Sequence, residues 1–248
     1  MKAMVFAAGL GKRLKPMTDD MPKALIPING KPMLEHILLK LKAAGFLHVV
    51  INVHHFADQI IQFLQANNYF GLKIDISDER DYLLDTGGGL KHAVDFLAGD
   101  DPFLIHNVDI FSNADLKAMY EYHLASDALA TLLVSNRSSS RQLLFDRKEN
   151  LSGWQNSDTG EFKSAYPDFD PSKHTEFAFG GVHVISPKIF ELMDEWTGKF
   201  SIINFYLSVC PKFPIQYYTE DKLELIDIGK IETLAEAKEW IKTNTTGI

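Results

Sequence analysis

Within the first 23 residues an apolar run passes directly into a glycine turn loaded with cations. Met4-Val5-Phe6-Ala7-Ala8 reads as a short buried strand, and Gly9-Leu10-Gly11-Lys12-Arg13 follows it without a spacer. Pro16, Thr18, Pro22 and Lys23 come next. Small residues after a strand leave backbone N–H groups free to line a concave anion site. Arg13 adds a planar fork of donors and Lys23 a point charge. A strand, a small-residue turn and two cations in this order are equipment for holding a triphosphate.

Two familiar glycine loops are excluded by spacing. A dinucleotide fingerprint needs a third glycine where Leu14 stands, and a Walker loop needs Gly-Lys-Ser/Thr where the chain has Gly11-Lys12-Arg13. The formal net charge of -8 argues against general nucleic-acid binding, which wants a basic face. Phosphate binding therefore requires cations concentrated locally, as Lys12, Arg13, Lys15 and Lys23 are, with a bound metal adding more. The single cysteine, Cys210, rules out an internal disulfide, and its apolar neighbours make it a packing residue. No apolar run approaches the roughly 20 residues of a membrane span, and the expected location is the cytoplasm.

The first half of the chain alternates strands and helices. Helical periodicity covers Pro32 to Ala44, Ala57 to Ala66, Leu90 to Leu97 and Asp115 to Leu124. Strands are expected at His48 to Val53, Leu72 to Ser77, Pro102 to His106 and Ala128 to Ser135. Such alternation predicts an α/β fold: a mostly parallel sheet with helices on both faces. Ligands in such sheets bind beyond the carboxyl ends of the strands.

The rhythm changes after residue 135. Asn136 to Arg141 is a polar loop, Leu143 to Trp154 a hairpin turning near Glu149-Asn150, and Ser157 to His174 an extended or mobile loop. Gly181 to Ile185 reads as a strand, Pro187 to Glu195 and Ser201 to Val209 as helices. Pro214 to Tyr218 and Leu223 to Ile226 are late strands, and Lys230 to Lys242 is a final helix with Leu234, Ala235 and Ile241 inward. No linker separates the parts, so residues 1–248 are expected to form one domain.

The opening run, Phe6-Ala-Ala-Gly-Leu-Gly-Lys-Arg-Leu-Lys-Pro-Met-Thr18 followed by Pro22-Lys23-Ala24, resembles the signature of the sugar-1-phosphate nucleotidyltransferases. Their pattern differs only by a second proline where Ala24 stands. The resemblance implies a Rossmann-like mixed sheet. It also implies a nucleotide-binding half at 1–135 and a sugar-binding, metal-completing half at 136–248, with substrates NTP and sugar 1-phosphate. It makes Arg13 and Lys23 the catalytic cations, with Ala8, Gly9 and Gly11 around the nucleotide. Many members carry a C-terminal β-helix of hexapeptide repeats, and no such repeat is present here.

Asp109 and Asp227 each stand where an apolar run stops, as ligands of a hard cation do. The matching family positions hold Mg2+, so the resemblance nominates both. Val108 departs from the family, where glycine or alanine precedes the first aspartate, and fits if its side chain enters the core. Asp85-Thr86-Gly87-Gly88-Gly89 places three glycines at an expected helix start, with exposed N–H donors. By resemblance Thr86, Gly87 and Gly88 line the nucleoside pocket, in a pattern nearer the N-acetylmuramate 1-phosphate uridylyltransferases than the glucose branches. Mannose and heptose guanylyltransferases remain close. Asn107, Glu176 and Gly180 are the sugar-side candidates. His54-His55 is a poor metal pair, since neighbours on a strand point to opposite faces.

The implied reaction is NTP plus sugar 1-phosphate giving NDP-sugar and pyrophosphate, with uracil and N-acetylmuramate preferred. A non-catalytic protein that senses nucleotide sugars is the competing class.

Overall fold

The structure, a computed structural model, describes residues 1–244. Strand β1 (Lys2–Phe6) is followed by a small hairpin of β2 (Pro27–Ile28) and β3 (Lys31–Pro32), then by helix α1 (Met33–Ala43). The alternation continues through β4 (His48–Val53), α2 (Ala57–Ala66), β5 (Lys73–Asp78), α3 (Asp85–His92), α4 (Val94–Leu97) and β6 (Phe103–Asn107). It then passes to β7 (Ile110–Ser112), α5 (Leu116–Leu124) and β8 (Ala130–Ser135). The second half adds β9 (Arg141–Phe145), β10 (Leu151–Asn156), β11 (Glu161–Ser164) and β12 (Thr175–Ile185). It closes with α6 (Ile189–Leu192), α7 (Ile202–Val209), β13 (Ile215–Tyr218), β14 (Leu225–Asp227) and α8 (Ile231–Thr243).

These strands build a mixed sheet in the order β11-β10-β9-β12-β6-β1-β4-β5, with β8 and β13 branching from β12. The first-half strands β6, β1, β4 and β5 run parallel, as the alternation predicts. The hairpin-rich second half joins through β12, which is antiparallel to β6 and β8. β4 and β5 lie on one side of β1 and β6 on the other, so the chain switches direction across β1. Phe6 at the end of β1 is level with Asn52 of β4 and Asn107 of β6. Three strand ends thus open side by side, at the place where such sheets receive ligands.

Successive residues of β1 serve opposite faces. Ala3 and Val5 join the core under α1, α2, α5 and α8, while Met4 joins the one under α3, α4, α6 and α7. Two covered faces explain the unbroken apolar character of the strand. α1 stops at Gly45, whose φ of 89° permits Phe46 N–H to reach back to Leu41 O at 2.9 Å. Asp115 caps α5 by accepting from Lys117 and Ala118 N–H.

Several expectations need correction. The helix read as Leu90 to Leu97 begins at Asp85 and breaks at Ala93, so the three glycines lie inside it. The segment 157–174 contains β11, paired with β10; Phe162 is 55% exposed there, which hides any inward face in the sequence. Within Pro187 to Glu195 only Ile189–Leu192 is helical. In α8 the buried residues are Leu234, Ala237 and Ile241, whereas Ala235 is exposed. His54 and His55 lie beyond β4, and His54 Nδ1 pairs with Glu79 O.

Candidate active site

The ends of β1, β4 and β6 and the segment after β5 enclose an open cavity of about 450 Å³. Its wall contains Ala8, Gly9, Gly11, Arg13, Lys23, Thr86, Asn107 and Asp109, which the sequence places far apart. Lys12, Asn52, Glu79, Leu83, Asp85, Val108, Lys199 and Gly229 complete much of the rest.

The glycine loop presents unpaired backbone donors. Among the described residues the N–H groups of Gly9, Leu10 and Gly11 have no hydrogen-bond partner. A Cβ on Gly9 would meet nothing within 4 Å, so the space beside it is open for a ligand. Gly11 serves geometry instead. Its φ is 60°, and a Cβ there would lie 2.8 Å from Thr18 Cγ2 and 3.1 Å from Lys23 Cβ. Thr18 Oγ1 also donates to Gly11 O at 3.0 Å, fixing the turn.

Ala8 is on the wall, but its N–H is already engaged. Asn52 Oδ1 accepts from Ala7 N at 2.7 Å and from Ala8 N at 3.3 Å, while Asn52 Nδ2 donates to Glu79 Oε1 at 2.7 Å. Glu79 Oε2 accepts from Leu84 N at 3.2 Å. This buried brace ties the glycine loop to the start of α3. Burial raises the Glu79 carboxyl above its ordinary value, partly offset by the Asn52 and Leu84 bonds. The sequence reading missed both residues. A lone carboxamide in the apolar run His48 to Val53 was the available signal.

Gly87 and Gly88 are not on the cavity wall. Their N–H groups donate to Phe200 O at 2.9 and 3.3 Å, and side chains there would strike the Phe200 ring and Gly198 O. The glycines thus seat α3 against the 198–200 segment, which carries Lys199 to the cavity. Gly89 gives room to the brace, since a Cβ would stand 2.6 Å from Glu79 Oε1. Thr86 is on the wall, and its Oγ1 accepts from Ile202 N at 3.0 Å.

The aspartates converge through a ribbon the sequence reading half found. β14 pairs antiparallel with β7, setting Asp227 opposite Ile110, and Ile228 N–H donates to Asp109 O at 2.9 Å. Lys23, only 8% exposed, bonds Asp109 Oδ2 through its ammonium. Burial raises the Asp227 carboxyl above its ordinary value, and the Asp109 charge adds to this; Lys23, Arg137 and Arg13 work against it. A Cβ on Gly229 would lie 2.7 Å from Arg13 Nη2 and 3.0 Å from Asp227 Oδ1, so this glycine lets guanidinium and carboxylate share one spot. Val108 is 4% exposed and packs into the core, leaving its backbone at the wall.

Glu176 and Gly180 lie outside the cavity wall. Glu176 is exposed on β12 and accepts from Gln155 Nε2 at 2.7 Å. Gly180 is buried, where a Cβ would be 2.9 Å from Leu133 O and from Leu225 Cδ1. Among the described residues no three His, Cys, Asp or Glu side chains gather as a metal cage, so the aspartate pair is the available donor set. No helix there is long and apolar enough to cross a membrane.

A family model described as nucleotidyl transferase matches residues 2–143. The N-acetylmuramate alpha-1-phosphate uridylyltransferase of Caulobacter vibrioides is 36% identical over 207 residues, covering 82% of each chain. A probable mannose-1-phosphate guanylyltransferase of Oryza sativa subsp. japonica is 33% identical over 54% of this chain and 38% of that one. The crystal structure of HddC from Yersinia pseudotuberculosis complexed with GMP-PN superposes with a TM-score of 0.74 at 25% identity, covering 97% and 99% of the chains.

Proposed function

From the premise that this chain belongs to the nucleotidyl transferase family, we propose that it couples an NTP to a sugar 1-phosphate, releasing pyrophosphate, with UTP and N-acetylmuramate 1-phosphate as its pair. The observation that carries the reading is the convergence on one cavity of unpaired glycine-loop donors, Arg13, Lys23 and Asp109, with Asp227 beside them.

In this reaction a phosphate oxygen of the sugar 1-phosphate attacks the α-phosphorus in line. The new P–O bond forms as the bond to the β-phosphate oxygen breaks, and pyrophosphate carries away the electron pair. The nucleophile is already an anion, so no general base is required. Catalysis is positioning and charge neutralisation. The Gly9 to Gly11 N–H groups and Lys12 hold the triphosphate, and Arg13 meets the charge that builds on the leaving pyrophosphate. The Lys23 ammonium has three donors. One serves Asp109, leaving two for the oxygens of the α-phosphate and of the incoming phosphate.

Asp109 and Asp227 suit Mg2+, which takes one or two carboxylates and fills its remaining sites with phosphate oxygens and water. The mutual repulsion that helps raise the Asp227 carboxyl is what a cation there would relieve. When bound, the ion supplies Lewis-acid polarisation of the α-phosphate. Retention of Arg13, Lys23, Asp109 and Asp227 supports an enzyme over a non-catalytic nucleotide-sugar sensor.

The test is pyrophosphate release with Mg2+ across UTP, GTP, CTP and dTTP against N-acetylmuramate, N-acetylglucosamine, glucose, mannose and heptose 1-phosphates. The expected maximum is UTP with N-acetylmuramate 1-phosphate. A GTP-dependent maximum would transfer the assignment to the guanylyl branch, and silence of folded, nucleotide-binding protein would favour the sensor.

A further inference from the structure

Strand β12 is interrupted where it crosses β8. Its register slips between the pairs Phe179 with Val134 and His183 with Leu132, and Gly181 takes a φ of 68° in the bulge. The bulge adjoins two elements of the site and holds an arginine that lies off the cavity wall. Gly180 packs against Leu225, the first residue of the strand that carries Asp227. A Cβ on Gly181 would stand 2.9 Å from Asn107 Nδ2. Arg137, two residues beyond β8, donates from Nη2 to Phe179 O at 3.2 Å.

Arg137 is half-buried, yet among the described residues it forms no ion pair, and its buried Nε–H has no acceptor. A partly buried guanidinium with no carboxylate in direct contact is incompletely satisfied, and its planar fork matches a phosphate. Such a residue is arranged for an anion that comes from outside the chain. The reaction brings two. The triphosphate has the glycine loop, Lys12 and Arg13 on the β1 side. The sugar 1-phosphate so far has only the share of Lys23 that Asp109 leaves.

The geometry points to Arg137 as the binding residue for the phosphate of the sugar 1-phosphate, approaching the aspartate pair from the β8–β12 side. This rests on the reaction proposed above. The polar loop Asn136 to Arg141 thereby acquires a role in the site.

The experiment compares wild type with Arg137→Gln and Arg137→Lys in steady state, each substrate varied separately. Gln keeps an N–H donor for Phe179 O and loses the charge; Lys keeps the charge and loses the fork. The expected result for Arg137→Gln is a rise in KM for the sugar 1-phosphate on the order of tenfold to a hundredfold, the scale of one charge-assisted hydrogen bond, with KM for the NTP within about twofold. Arg137→Lys falls between. Equal changes in both KM values, or none, would overturn the assignment while leaving the reaction standing. A penalty confined to N-acetylmuramate 1-phosphate and absent with N-acetylglucosamine 1-phosphate would overturn it too, because the contact would then be to the carboxylate of the former. An inactive wild type would overturn both.

Discussion

The Lys23 ammonium bonds Asp109 Oδ2, whereas burial and the neighbouring Asp109 charge outweigh the nearby cations at Asp227 and disfavour its ionised form. The two carboxylates are therefore unequal in what they cost the fold. Asp109→Asn removes the charge facing a lysine that is 8% exposed and is expected to destabilise the protein by roughly 1–2 kcal/mol, lowering Tm. Asp227→Asn should do the opposite. A carboxyl raised in the fold favours its protonated form, so its contribution is fully present below the ordinary aspartate value and is lost as pH rises through the folded value. At pH 7 the ionised Asp227 is a liability, and the asparagine variant should melt higher than wild type. Both variants should lose turnover on the order of a hundredfold. Adding Mg2+ at pH 7.5 should raise the Tm of wild type but not of Asp227→Asn. A lower Tm for Asp227→Asn would refute the imbalance.

Gly9 and Gly11 look alike in the sequence and behave differently in the fold. An alanine at Gly9 would touch nothing within 4 Å and needs no unusual backbone, so the stability should stay within about 0.5 kcal/mol of wild type. Its methyl would stand in the space left for the triphosphate, and KM for the NTP should rise. At Gly11 an alanine must hold a φ of 60° and push on Thr18 and Lys23. The left-handed conformation alone costs about 1–2 kcal/mol, and displacement of Lys23 should reduce kcat. Thermal melts paired with initial rates separate the two, and an unfolded Gly9→Ala would refute the open-space reading.

The parallel half of the sheet, the glycine loop and both aspartates were legible in the sequence. Residues such as Met4 and Val5 must be apolar to be covered on both sides, and that leaves a plain imprint. What escaped depends on contacts the sequence does not order. Gly87 and Gly88 advertise free N–H groups, but the Phe200 carbonyl 112 or more residues later takes both. Glu161 to Ser164 carries no inward apolar face, so its pairing with β10 left no pattern. Arg137 sits in a run of serines, and only the bulge at Phe179 to Gly181 reveals where it is held.

Asn52 and Glu79 make a prediction that separates bracing from ligand contact. Asn52→Ala would leave the Ala7 and Ala8 N–H groups without an acceptor and the buried Glu79 short of a donor, at a cost of roughly 2–3 kcal/mol. Gly89→Ala disturbs the same brace from the helix side, through its approach to Glu79 Oε1. Helix propensity alone would favour alanine there by about 1 kcal/mol, so destabilisation would show that the clash prevails. Urea denaturation of both variants is the measurement. A stabilised Gly89→Ala would mean that the brace yields freely.

Burial lowers four histidines, His36 among them, and three of them strongly. His106, His123 and His183 are buried, and burial lowers them to about 4, 4 and 3. Each is committed to neutral partners: His123 to Thr131 and Ser186, His183 to the Tyr206 hydroxyl, and His106 Nδ1 to Asn107 O. A base depressed in the fold gives stability that is present above its ordinary value of 6.5 and lost as pH falls toward the folded value. Once the unfolded chain is fully protonated at these sites, the slope should approach about 4 kcal/mol per pH unit. Urea midpoints measured at pH 7.5, 6.0 and 5.0 should fall steeply between the last two, and His183→Gln should flatten the fall by about one proton. Asn107 follows His106 on β6 and ends at the cavity, so activity and tertiary structure should disappear together across that interval. Activity lost while near-ultraviolet circular dichroism stayed native would place the acid-sensitive group in the site itself.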